Sequence, residues 1–169
     1  IQNYYRRSSH CTSEEVKVLY PERYEKYFKI TCVRNPYDRM ASEYFHLKRK
    51  SPYHPILGNV GTMSFNHFVE NIQQNFQHLL DFNKSPREDY NIHFLPQVNF
   101  LKIDGKIDDF KIFRFEKFYE VEKYFSKKIH LNKNTLKNNK EYRNMYDQKS
   151  KAIISNLYRE DFEFLNYEK

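Results

Sequence analysis

The pattern of apolar and polar positions divides this chain into alternating helical and extended segments. "TSEEVKVLYPERYEKY" opens on a capping residue, Thr12 or Ser13, and reads as a short helix interrupted near Pro21. "KYFKITCV" concentrates apolar and β-branched residues and predicts a strand covered on both faces, with Cys32 as a small core residue. A helix is expected from Pro36 to about Lys50, and a Pro- and Gly-containing loop over "KSPYHPILGNVGTM". From Ser64 the period becomes clearly helical, with Phe65, Phe68, Val69, Ile72, Phe76, Leu79 and Leu80 on one face. His67 and His78 fall on the surface of that helix.

After a polar stretch over 81–91, "NIHFLPQVNFLKI" leads to a strand in "DFKIFRFE", where Phe110, Ile112 and Arg114 alternate with Phe113 and Phe115. "KFYEVEKYFSKKI" reads as helix and residues 132–140 as a polar loop. Asp147 is placed to cap a last helix over "QKSKAIISNLYREDFEFL". Strands alternating with helices predict an α/β layer architecture, and neither repeats nor a linker break it, so residues 1–169 read as a single domain.

Composition narrows the chemistry. Thirty of the 169 residues are Tyr or Phe, too aromatic for a disordered chain. The net charge of +7 favours an anionic partner. Three glycines cannot build a Gly-rich phosphate loop, and two cysteines cannot build a disulfide scaffold or an all-cysteine metal site. No 18-residue apolar run and no leader-like apolar segment occur, so the expectation is a cytoplasmic chain without a transmembrane segment. No His-x-x-x-His or Cys-x-x-Cys pair occurs, and no metal is expected.

The most informative stretch joins the first strand to the second helical segment. In "VRNPYDRMASEY" Asn35 is a favoured N-cap, Pro36 suits the first helical position, and Asp38 is placed to reach back to the cap. A helix N-terminus favours anions. Arg34 stands at the carboxyl end of the strand, where its guanidinium can grip a phosphate, and the Ser42 hydroxyl follows two turns into the helix. The plain alternative is a solvated Arg34 and a Ser42 that bonds its own preceding turn.

This segment resembles the 3′-phosphate-binding motif of sulfotransferases that use 3′-phosphoadenosine 5′-phosphosulfate (PAPS). The resemblance is closest to the carbohydrate sulfotransferase branch. "HCTSEEVKVLYPERYEKYFKI", "HFLPQVNFL", "FRFEKF" and "EYRNMYDQKSKAIISNLYREDFEFLNY" are similar to further elements of that family, in the same order. The resemblance implies a sulfotransferase fold of the P-loop-NTPase-like kind, a mostly parallel sheet flanked by helices. It also implies transfer of a sulfuryl group from PAPS to a hydroxyl, with Arg34 and Ser42 on the 3′-phosphate. The acceptor it implies is a carbohydrate or other hydroxyl compound, suited by the basic charge to be anionic.

Nothing in the chain is similar to the family's N-terminal phosphate loop, so the expectation is an N-terminally truncated domain that lacks the first strand and that loop. The resemblance places Thr135 and Lys137 in the C-terminal cofactor loop and makes His10 the candidate catalytic base. His93 is the second candidate base and, with Gln97, a candidate for acceptor binding, while Glu116 is a base or a structural hydrogen-bond acceptor. The alternative reading is a non-catalytic sulfotransferase-like module that binds nucleotide or acidic glycan. A nucleic-acid-binding domain is disfavoured, because no basic-aromatic recognition strand is present.

Overall fold

The computed structural model describes residues 10–81, 89–127 and 142–169. Thr12 caps helix α1 (Ser13–Leu19): its hydroxyl accepts from the Glu15 N–H, and the Glu15 carboxylate accepts from the Thr12 N–H. Pro21 has no N–H with which to continue α1 and instead opens α2 (Pro21–Lys26). Strand β1 (Ile30–Val33) then leads through Arg34 into α3 (Pro36–Lys50).

The loop expected after α3 contains a small hairpin, β2 (Tyr53–His54) with β3 (Gly58–Asn59), and a 3-10 turn over Val60–Thr62. Helix α4 (Phe65–Leu80) is capped by Ser64, whose hydroxyl accepts from the His67 N–H. Its buried face is Phe65, Phe68, Val69, Ile72 and Leu79, as the periodicity predicts, and His67 and His78 are exposed. A short α5 (Asp89–Ile92) precedes a 3-10 turn over Gln97–Phe100.

A second hairpin, β4 (Lys102–Ile103) with β5 (Lys106–Ile107), turns at Asp104 and Gly105, whose φ angles are 50° and 76°. Positive φ at both central residues is what a tight Asp-Gly turn requires. Strand β6 (Lys111–Arg114) follows, then α6 (Tyr119–Tyr124). Helix α6 is shorter than predicted because Ser126 takes a φ of 50° and the Lys127 N–H folds back to the Glu122 carbonyl at 3.1 Å.

The last predicted helix is divided into α7 (Gln148–Leu157) and α8 (Arg159–Phe164). Asp147 caps α7, accepting from the Ser150 N–H at 2.7 Å. The kink falls at Tyr158, a fully buried ring whose hydroxyl donates to the Phe94 carbonyl at 3.0 Å.

Strands β1 and β6 pair in parallel, Ile30 opposite Lys111 through Val33 opposite Arg114. The described residues therefore form a mixed helix and sheet structure with one small parallel sheet and two antiparallel hairpins. The main core lies where α3, α4, α7 and α8 meet, built from residues such as Met40, Leu47, Phe68, Ile72, Ile154 and Phe162. Each such side chain contributes about 1.5–3 kcal/mol on burial. A smaller cluster of Val33, Val98, Leu101 and Leu165 packs under β1.

Two expectations for β1 are overturned. The strand is not covered on both faces, and Cys32 is exposed rather than a core residue. Val33 is buried, but Ile30 and Cys32 line an open groove between β1 and the α1–α2 pair, so no packed layer covers them.

Candidate functional site

The site is organised around the step from β1 into α3. Asn35 caps α3, its side chain accepting from the Tyr37 N–H at 2.9 Å. Asp38 does not satisfy the cap N–H; that N–H donates to Glu116 Oε1 at 2.6 Å, from the end of β6. Oε2 of Glu116 accepts from the Tyr167 hydroxyl at 3.0 Å. Both oxygens of Glu116 are thus engaged in joining β6, the α3 start and the C-terminal segment. The Tyr167 hydroxyl also reaches the Val33 carbonyl at 3.2 Å, and burial beside the Glu116 carboxylate pushes its ionisation well above the ordinary range.

Arg34 is fixed through its backbone. Its N–H donates to Gln97 Oε1 and its carbonyl accepts from Gln97 Nε2, each at 2.8 Å. Gln97 is held in turn by Asp161 of α8, a fully buried carboxylate that accepts from the N–H groups of Gln97 and Val98 at 2.9 Å. Burial pushes the Asp161 carboxyl up, and those two backbone donors pull it partly back. The side-chain amide of Gln97, read as an acceptor-binding group, is therefore used in bracing the strand end.

These bonds leave little of the α3 N-terminus for an anion. Pro36 has no N–H, and the N–H groups of Arg34, Asn35 and Tyr37 are all used internally. What remains is the side chain of Arg34. Its guanidinium lies 5.0 Å from the Phe115 ring and 5.8 Å from the Tyr142 ring. Among the described residues it has no carboxylate partner. Two aromatic faces orient a cation without neutralising it.

Ser42 is half-buried and its hydroxyl makes no hydrogen bond among the described residues, so the expected alternative of a bond to its own preceding turn is not seen. Seven residues after Asn35, it lies on nearly the same face of α3 as the cap. It stands about 9 Å along the axis from Pro36.

The family model for the sulfotransferase family matches residues 2–168 of the chain. The chain belongs to the sulfotransferase family. No curated protein and no solved structure matches it. Membership in this family carries sulfuryl transfer as the general activity and an acceptor as its second substrate.

Within this sulfotransferase the groove beside β1 has a volume of about 770 Å³. Its lining includes His10, Tyr20, Tyr27, Ile30, Arg39 and Gln97. Lys29, also in the wall, is ion-paired with Asp108 at 2.8 Å, and Arg23 lies 5.8 Å from the Tyr20 ring. His10 and His93 are brought together, with ring centroids 5.4 Å apart. Thr135 and Lys137 lie outside the described residues.

Sequence reasoning passed over Tyr142, Asp161 and Glu43. Each acts on a residue distant in the chain, and only a fully buried acidic position on an amphipathic helix, Asp161, offered a local signal. Among the described residues no group of three or more His, Cys, Asp or Glu is arranged to hold a metal ion. Among them also, no helix is long and apolar enough to cross a membrane.

Proposed function

We propose that this sulfotransferase takes its sulfuryl group from PAPS and passes it to a hydroxyl of a carbohydrate, with Arg34 and Ser42 holding the donor's 3′-phosphate. The observation that carries this reading is the Arg34 guanidinium, oriented by Phe115 and Tyr142 and without a carboxylate partner among the described residues. A phosphate suits that guanidinium in charge and in its capacity to accept a forked pair of hydrogen bonds. The unengaged Ser42 hydroxyl offers another donor. The β1–β6 pair, with Arg34 at its carboxyl end, corresponds in this reading to part of a P-loop-like sheet.

The acceptor occupies the groove in this reading. Tyr20 and Tyr27 offer aromatic faces to a sugar ring, and Arg39 and Arg23 favour an acceptor that carries anionic groups. The protein's part in the reaction is positioning and charge stabilisation, as in other transfers between phosphate oxygens and hydroxyls. The imidazoles of His10, in the groove wall, and of His93, 5.4 Å from it, are the candidate proton acceptors in this reading.

Calorimetric titration with 3′-phosphoadenosine 5′-phosphate (PAP) tests the donor assignment. Losing a charge-assisted contact in Arg34→Ala costs about 1.5–3 kcal/mol, a weakening of roughly 10- to 150-fold. Equal affinity of parent and variant would refute the role given to Arg34.

A further inference from the structure

Nδ1 of His93 lies 3.1 Å from Oε1 and 3.0 Å from Oε2 of Glu43. An ionised carboxylate has no proton to give, so the proton in this contact belongs to Nδ1. In the neutral ring Nε2 then carries the lone pair. The Glu43 side chain is 12% exposed and that of His93 29%, so the pair is shielded from water but open on the imidazole side. The backbone beneath it is braced too. Arg39, one turn before Glu43 on α3, donates to the His93 and Leu95 carbonyls, each at 2.8 Å.

The other imidazoles nearby differ from His93. His10 meets it edge to face at 5.4 Å, and His46 of α3 lies 6.1 Å away. Neither makes a hydrogen bond among the described residues that would fix its tautomer. His54 is fixed in the opposite sense: its Nδ1 accepts from the Ile56 and Leu57 N–H groups, which places its proton on Nε2. Burial lowers the His54 pKa, so it is a neutral structural ring. Among the described histidines, only His93 combines a carboxylate orienter, a defined tautomer and ring contact with a residue that lines the groove.

We propose that His93, rather than His10, takes the proton from the acceptor hydroxyl, and that Glu43 is the positioning residue that holds His93 in the required tautomer. The inference rests on the sulfuryl-transfer reading above. As the acceptor oxygen bonds to sulfur, its proton passes to His93 Nε2. The sulfur–oxygen bond to the donor's 5′-phosphate breaks, and the electron pair leaves with that phosphate. The imidazolium so formed faces the Glu43 carboxylate, the arrangement in which a third group orients and stabilises a base. The groups that face His93 are the Glu43 carboxylate, the Arg39 guanidinium at the His93 carbonyl, and the imidazoles of His10 and His46. His10, at the groove wall, contacts the acceptor.

The test uses the full-length protein and the Glu43→Gln, His93→Gln and His10→Gln variants. Nitrogen-15 NMR reads the histidine tautomers, and release of PAP from PAPS, with water as acceptor, is followed against pH. The parent is expected to show His93 with its proton on Nδ1. His93→Gln should lose roughly 100-fold or more in kcat with PAP affinity unchanged. Glu43→Gln should lose about 10-fold in kcat, keep KM, and move the acid limb of the profile to lower pH, a shift that a purely structural role would not produce. His10→Gln, which removes an acceptor contact and not the base, should lose less in kcat than His93→Gln does.

A His93 proton found on Nε2 overturns the inference. So does a His93→Gln variant that works at the parental rate while His10→Gln does not. Failure of the parent to bind PAP, or to release it from PAPS, refutes the donor reading and the inference with it. Intact PAP binding and turnover with an unmoved acid limb in Glu43→Gln refutes the inference alone.

Discussion

Replacing Asp161 by Asn should weaken the fold and the anion grip proposed for Arg34 together, because one buried carboxylate braces both. Asp161 accepts from the N–H groups of Gln97 and Val98 at 2.9 Å, and from the Gln97 side-chain amide at 3.3 Å. Asn keeps one oxygen for one backbone donor and turns an amino group towards the other. A buried donor left without an acceptor costs about 1–3 kcal/mol. Relief of the desolvation that pushes the Asp161 carboxyl up offsets part of this, so a net loss of roughly 1–2 kcal/mol is expected. For a chain of this length that is a fall in Tm of about 2–8 °C.

Asp161→Ala orphans both donors and should cost more, about 2–6 kcal/mol. The functional side of the same prediction runs through Gln97. With its brace weakened, the Gln97 amide holds the Arg34 backbone less firmly, and PAP affinity should fall several-fold. The pH dependence has a definite sign. Because the native carboxyl is raised above its ordinary value near 3.8, the native state binds the proton first. The Asp161 contribution to stability is therefore complete below that value and is lost as pH rises through the native pKa. Urea denaturation between pH 3.5 and about 7 should show this slope in the parent and lack it in Asp161→Asn. A variant within 1 °C of the parent Tm, with undiminished PAP binding, would refute the linkage.

Other outcomes follow from single contacts. The Lys29 ammonium and the Tyr24 hydroxyl pull the Asp108 carboxyl down to about 2, so its contribution to stability is present above the ordinary value near 3.8 and lost as pH falls towards 2. Asp108→Asn should flatten that acid limb in thermal melts. Thr12→Ala removes the capping box of α1 and should cost about 1 kcal/mol in urea denaturation. Phe68→Ala empties a fully buried position between α3 and α4 and should cost about 3–5 kcal/mol. Arg34→Lys keeps the charge but loses the planar fork and its stacking on Phe115, so PAP should bind it more weakly than the parent but more tightly than Arg34→Ala.

Local chemistry was legible in the sequence wherever neighbours along the chain decide the outcome. Thr12 with Glu15, Asn35 with Pro36, and the apolar face of α4 each lie within one or a few turns of helix, so propensity, capping and periodicity suffice. The hairpin at Asp104-Gly105 was legible as well, since Asp-Gly sits between Ile103 and Ile107, but the shortness of its strands hid it. Cys32 was misread because an apolar run does not reveal whether a packed layer lies over both faces. The duties of Gln97 and Glu116, the aromatic pair around Arg34 and the Glu43–His93 contact join residues 50 or more positions apart. No local pattern encodes such pairings; they follow from how the layers come to rest.

The bracing of β1 from far downstream also bears on the order in which the protein matures. Arg34 and Val33 are made well before their supports Gln97, Glu116, Asp161 and Tyr167, the last lying 134 residues beyond Val33. Closing loops of that span is entropically costly until the partners exist to reward it. Chain growth from the N-terminus thus leaves the strand end incompletely braced until residue 167 has been made, and the anion grip proposed for Arg34 is complete only at the last stage of folding. A nascent chain arrested before α8 would carry Arg34 and Gln97 but lack the Asp161 carboxylate that braces Gln97.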